Sequence, residues 1–124
     1  MNLSFSTRGW SEYSWEELVD LAQEMGFTGI EVYDLHENEE LISKDGPFHK
    51  FKANATMRDL RAKDIQIPVL DNSVDISVGE SSVDAVKALI DVAAQTGIEY
   101  VAVRAENDNE DAVRAVLDQL VPYT

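Results

Sequence analysis

The chain contains no cysteine, which excludes disulfides, thiolate metal sites and a cysteine nucleophile. Cations are scarce: 10 Lys and Arg stand against 24 Asp and Glu, a formal net charge of −14. Nucleic-acid binding rests on basic side chains that neutralise phosphates, and a chain this acidic repels a polyanion at long range. An anionic membrane surface is disfavoured for the same reason, whereas a small anionic ligand in a locally basic pocket is not. No apolar stretch approaches the length of a membrane span. Met1-Asn2-Leu3-Ser4-Phe5 has neither the basic start nor the apolar run of a secretory signal, so a cytoplasmic chain is expected. There are two histidines, His36 and His49, without metal-ligand spacing. The dinucleotide fingerprint, the P-loop and the serine nucleophile elbow are all absent.

What is present is a repeat of strand, loop and helix. The 124 residues, 44% of them apolar, suffice for one domain with a core. Leu3 to Ser6 alternates apolar and small polar residues, as a half-polar strand does. Ser14-Trp15-Glu16-Glu17 reads as a capping box, in which the Ser14 hydroxyl and the Glu17 carboxylate satisfy free amides. Trp15, Leu18, Val19, Ala22 and Met25 then share one helical face, and Gly26 supplies a left-handed stop. Gly29 to Asp34 is the second strand, and an acidic loop, His36 to Pro47, follows it. The spacing predicts a helix from near Phe48 or Phe51 to Lys63, with Phe51, Met57 and Leu60 inward.

Gln66 to Leu70 reads as the third strand, with Pro68 implying an irregular or edge-exposed backbone. Asp71 to Glu80 is a loop, or in part a continuation of that strand. Ser81 and Asp84 are expected to cap a helix carrying Val83, Val86, Leu89, Ile90 and Ala93, closed by Gly97. Tyr100 to Arg104 is the fourth strand, and Asp108 or Asn109 caps a last helix, Asp111 to Leu120. The segment from Ala22 to Tyr33 echoes that from Ala93 to Arg104, two units later, which supports the repeat.

Strand alternation sets Ile30 and Val32 against Glu31 and Tyr33, and Val101 and Val103 against Ala102 and Arg104. A doubly wound sheet is apolar on both faces of its central strands. One steadily polar face suits a barrel, apolar towards its helices and polar towards the upper lumen. The expected fold is therefore α/β: four parallel βα units over residues 1–124, strand order 1-2-3-4, forming half of a TIM barrel with open edges unless a partner pairs with them. The chain ends after its fourth helix, where an eight-unit barrel divides in two. An N-terminal fragment of a larger barrel is the natural expectation.

The run Ser14-Trp15-Glu16-Glu17-Leu18-Val19, with Ala22, Met25-Gly26-Phe27-Thr28-Gly29-Ile30-Glu31-Val32, resembles the start of xylose-isomerase-like TIM barrels. Lys63 to Leu70 resembles that superfamily's third strand, and Ala93 to Arg104 its fourth unit. The superfamily contains sugar-phosphate isomerases and epimerases, inosose dehydratases and the endonuclease IV enzymes. The resemblance implies a sugar or sugar phosphate substrate and a divalent metal (manganese, magnesium or zinc) held by two Glu, one Asp and one His on later strands. Those positions lie beyond Thr124, so no metal ligand carries over and none is expected bound to this chain alone. The endonuclease branch uses further histidines in its first half, and His36 and His49 match them poorly.

By position at the strand ends, the substrate-facing candidates are Ser6, Thr7, Trp10, Glu31, Tyr33, Asp71, Asn72, Arg104 and Glu106. Of these, Trp10, Glu31, Tyr33, Asn72, Arg104 and Glu106 are the named substrate contacts. No residue present is assigned as catalytic. Glu31 positions a sugar hydroxyl, or pairs internally with Arg104. Arg104 forks onto a phosphate or carboxylate, or closes that same internal ion pair. Trp10 stacks on a sugar face, or packs on the rim. His36 and the run Glu37, Glu39, Glu40 read as solvent-exposed loop. Three functions remain open: the substrate-side half of a sugar isomerase or epimerase, inactive alone; a half-barrel that self-associates through its open edges as a homodimer; or an autonomous flavodoxin-like domain.

Overall fold

A computed structural model describes residues 2–124. The polypeptide runs β1 (Ser4–Ser6), α1 (Trp15–Met25), β2 (Gly29–Tyr33), a short α2 (Glu39–Ile42), α3 (Ala53–Ala62), β3 (Val69–Asp71), α4 (Val83–Thr96), β4 (Tyr100–Val101) and α5 (Glu110–Leu120). The four strands are parallel and ordered β1-β2-β3-β4. This order departs from the crossed order of a flavodoxin-like sheet, so that alternative is set aside. Among the described residues, no helix is long and apolar enough to cross a membrane.

The capping box forms as expected. The Glu17 amide donates to Ser14 Oγ at 3.2 Å and the Ser14 amide to Glu17 Oε1 at 3.1 Å. Gly26 ends α1 at φ 78°, a backbone conformation that costs a residue with a Cβ. Leu18, Val19 and Ala22 are the buried face of the helix. The strand register aligns Val32, Leu70 and Val101 across the sheet, with Phe5 beside Ile30. Ile30, Val32 and Leu70 are fully buried in the main core, which also holds Leu60, Leu89 and Ile98. A second cluster of Ile76, Val83, Val86, Val116 and Leu120 seats α5 on α4. The same register puts Ser6 beside Glu31 and Tyr33 beside Asp71, so the other face is polar and half-open.

Four local departures from expectation have physical causes. The acidic stretch after β2 is folded: a 3-10 turn at Leu35–Glu37 leads into α2, and Leu35, Leu41 and Phe48 are buried. Because Phe48 takes the core position, against Trp15 at 5.0 Å, Phe51 is left 82% exposed in the turn before α3, which starts only at Ala53. Regular pairing of the third strand begins at Val69, past Pro68, which has no amide to donate; Gln66 makes only an isolated bridge to Gly29. Finally, α4 lacks the expected side-chain cap at Ser81 and Asp84. Its N-cap is Ser82, whose hydroxyl donates back to the Gly79 carbonyl at 2.8 Å as a 3-10 turn runs into the helix. The last helix is capped by Asn109, which accepts from the Ala112 amide at 3.2 Å.

Past β3, the Asp71–Glu80 segment continues partly as strand through an isolated Asp75–Arg104 bridge. Arg104 receives the Ile76 amide on its carbonyl at 2.8 Å and gives its own to Val74 at 3.0 Å.

Candidate functional site

In a sheet of parallel βα units, ligands gather at the carboxyl ends of the strands. Here those ends are knit together by polar groups. Thr7 extends β1: its amide donates to the Glu31 carbonyl at 2.9 Å, and its hydroxyl accepts the Tyr33 amide at 3.0 Å. Asp34 sits just past β2 at φ 49°, and its carboxylate accepts the Ser73 amide at 2.7 Å and the Ser73 hydroxyl at 2.9 and 3.0 Å. Its own amide donates to the Asp71 carbonyl at 2.9 Å. Asp34 thus clamps the end of β2 to the loop after β3.

The Glu31–Arg104 pair, one of the two alternatives for these residues, does not form. Glu31 is level with Ser6 on β1, whereas Arg104 is level with Asp75, further along the sheet. Arg104 instead donates through Nε to the Asn72 carbonyl at 3.2 Å and approaches Asp71 Oδ2 loosely, at 3.9 Å. Asn72 is completely buried. Its Nδ2 donates to the Ala102 carbonyl and its Oδ1 accepts the Val74 amide at 2.9 Å, so both ends of the amide are spent on backbone. Glu106 is exposed, and its amide donates to Asp75 Oδ1 at 3.1 Å. Asp75 also accepts from the Ser77 hydroxyl and amide. The Ser77 hydroxyl first, then the Glu106 and Ser77 amides, hold the Asp75 carboxyl below its ordinary value.

A groove of about 920 Å³ opens between the loop after β1 and the segment after β2. Gly9, at φ 84°, turns the first loop so that Trp10 and Tyr13 reach its wall. Trp10 is 36% exposed, edge-on to Phe5 at 6.1 Å and tilted against Tyr13 at 5.4 Å. The Arg8 guanidinium lies 5.3 Å from the Tyr33 ring centre, a cation–π contact. The opposite wall is held by Gly46, where an added Cβ would lie 2.3 Å from the Leu41 carbonyl oxygen. Of the six named substrate contacts, Trp10 and Tyr33 line this groove; Glu31, Asn72, Arg104 and Glu106 do not. A smaller hollow of about 640 Å³ lies at the other end, by Ser4, Gly29 and Gln66.

The site holds residues that were not singled out from the sequence. Arg8 had no periodic or motif signal. Asp34 and Asp75 did carry one: Asp followed closely by Ser, or placed just after a strand, favours side-chain-to-backbone bonds and left-handed backbone.

The donors present do not fit a divalent metal. Among the described residues, no three His, Asp or Glu side chains converge. His36 is not the exposed loop residue expected: its side chain is 15% exposed, with Nδ1 buried and unpartnered and Nε2 3.8 Å from Glu37. His49 lies tilted against Phe51, ring centres 5.3 Å apart, and accepts that residue's amide at 3.3 Å. No step is routed through a metal on these residues.

Fold and groove together define an α/β half-barrel with its pocket at the carboxyl ends of the strands. No protein-family description matches the sequence, and no curated protein does. Among solved structures, the chain is similar to the probable 3-DHS dehydratase AsbF of Bacillus anthracis, described as involved in petrobactin synthesis, with TM-score 0.71 and 17% identity. The match takes in 99% of this chain and 47% of AsbF, so the chain spans about half the length of that protein. What is shared is the fold: four parallel βα units in the order 1-2-3-4, about half of a TIM barrel.

Proposed function

We propose that these 124 residues form one domain, the substrate-binding N-terminal wall of a TIM barrel similar to sugar isomerases and epimerases. The groove beside Trp10 and Tyr33 takes a small sugar or sugar phosphate. In the complete barrel a divalent metal would polarise the substrate oxygens while a carboxylate moves a proton next to a carbonyl. The groups for that step belong to the remaining strands. This chain's part is to bind and orient: Trp10 and Tyr13 offer ring faces, and the Thr7–Tyr33 and Asp34–Ser73 bonds fix the rim. The carrying observation is that the larger groove lies at the carboxyl ends of β1 and β2, where parallel βα folds place ligands. Titration with ribose, followed by amide and indole NMR signals, should shift Thr7 to Tyr13 and Tyr33 to Asp45. Shifts confined to Arg61 to Gln66, or none with any sugar or sugar phosphate, would overturn the reading.

A second reading is favoured by the exposed flanks of the sheet. Leu3, entering β1, is 54% exposed and Tyr100, on β4, is 66% exposed. Two copies pairing β1 with β4 would cover both in a homodimer and close the edges. A concentration-independent monomer by sedimentation would reject it.

A further inference from the structure

The groove has a charge that its proposed ligands do not all share. Six acidic residues line it, Glu16, Asp34, Glu37, Glu39, Glu40 and Asp45, against the single basic residue Arg8, and of the six Asp34 already spends its carboxylate on Ser73. We propose that the acidic segment after β2 is a charge filter, which restricts this groove to uncharged polyhydroxylated ligands and turns phosphate esters away. The inference rests on the sugar-binding reading above and narrows it.

The segment is not a solvated tether free to swing aside. Leu35, Leu41 and Phe48 anchor it in the core, the Phe48 amide bonds the Leu41 carbonyl at 2.8 Å, and Gly46 packs where no Cβ fits. The fold therefore holds Glu37, Glu39, Glu40 and Asp45 at the groove wall. A phosphate monoester brings roughly −1.5 to −2 charges at pH 7. Arg8 makes no ion pair among the described residues, and it is outnumbered. Two further cations stand near the groove without lining it: Arg104 is turned to Asp71 and the Asn72 carbonyl, and Lys52 donates to the Asp45 carbonyl at 3.3 Å. Neutral hydroxyls meet no such repulsion. Carboxylates accept their hydrogen bonds, and the half-exposed rings of Trp10 and Tyr13 suit the apolar face of a sugar.

Both tryptophans of the chain line the groove, so their fluorescence reports its occupancy. The probes are ribose with ribose 5-phosphate, and glucose with glucose 6-phosphate. At low ionic strength each ester should bind at least about tenfold more weakly than its parent sugar, and the gap should narrow in about 0.5 M salt. The combined variant Glu37→Gln, Glu39→Gln, Glu40→Gln should narrow it in the same way. An ester that binds as tightly as its parent sugar, or a gap indifferent to salt, overturns the filter while leaving the sugar site standing. Silence of both tryptophans towards sugars and esters alike overturns the site itself, and the filter with it.

Discussion

Replacing Asn72 with alanine should cost this small fold a large part of its stability. The side chain is fully buried and joins the end of β3 to β4 through the Ala102 carbonyl and to its own loop through the Val74 amide. Each bond is worth about 1 kcal/mol net, and each abandoned partner adds about 1–3 kcal/mol if water cannot reach it. Ala102 and Val74 are half-buried, so part of that penalty is relieved by solvent. The expected loss is about 2–4 kcal/mol. With a urea slope near 1.5 kcal/mol/M, the unfolding midpoint should fall by about 1.3–2.7 M at constant slope. Circular dichroism during urea titration measures this directly. Asn72→Asp should also destabilise, because a carboxylate keeps the Val74 acceptor but opposes the Ala102 carbonyl. A midpoint within about 0.3 M of wild type, roughly 0.5 kcal/mol, would refute the clamp.

Two further outcomes follow from the same geometry. Asp75 has its folded-state pKa lowered from 3.8, so its stabilising contribution is present above pH 3.8 and is lost as pH falls through the depressed value. An NMR titration of its carboxyl should give a midpoint below 3.8, and Ser77→Ala should move that midpoint upward; no upward movement would reject the Ser77 hydroxyl as the main cause. Gly46→Ala should unseat the wall after β2, costing about 1–3 kcal/mol by overpacking against the Leu41 backbone, with a changed Trp15 fluorescence; an unchanged melting curve would show that the wall yields freely.

The sequence made the repeat legible where local chemistry is self-contained. Ser14 with Glu17, Gly26, Gly97 and the alternation of Ile30, Glu31 and Val32 depend on neighbours a few residues away, and each took its expected form. Phe51 escapes the helical periodicity because it precedes the helix, and Phe48 reaches the core from a turn instead. Asn72 could have been read correctly. Successive strand residues face opposite ways, so Asp71 on the polar face sends Asn72 inward. The acidic wall was hidden for a different reason. Its buried anchors Leu35, Leu41 and Phe48 follow no helical or strand period, and long-range packing alone turns a charge run into one side of a groove. The placement of Arg104 beside Asp71, and not Glu31, likewise depended on a strand register that no local pattern specifies.

The central claim is that these residues bind and orient a sugar while the groups that transform it lie on other strands. The most direct measurement is turnover by the purified 124-residue chain, with ribose and ribose 5-phosphate or with glucose and glucose 6-phosphate, in the presence of magnesium, manganese or zinc. The account predicts no isomerisation or epimerisation above the protein-free reaction. Turnover that rises with chain concentration and disappears in Trp10→Ala would contradict it, by placing the chemistry within this half-barrel itself.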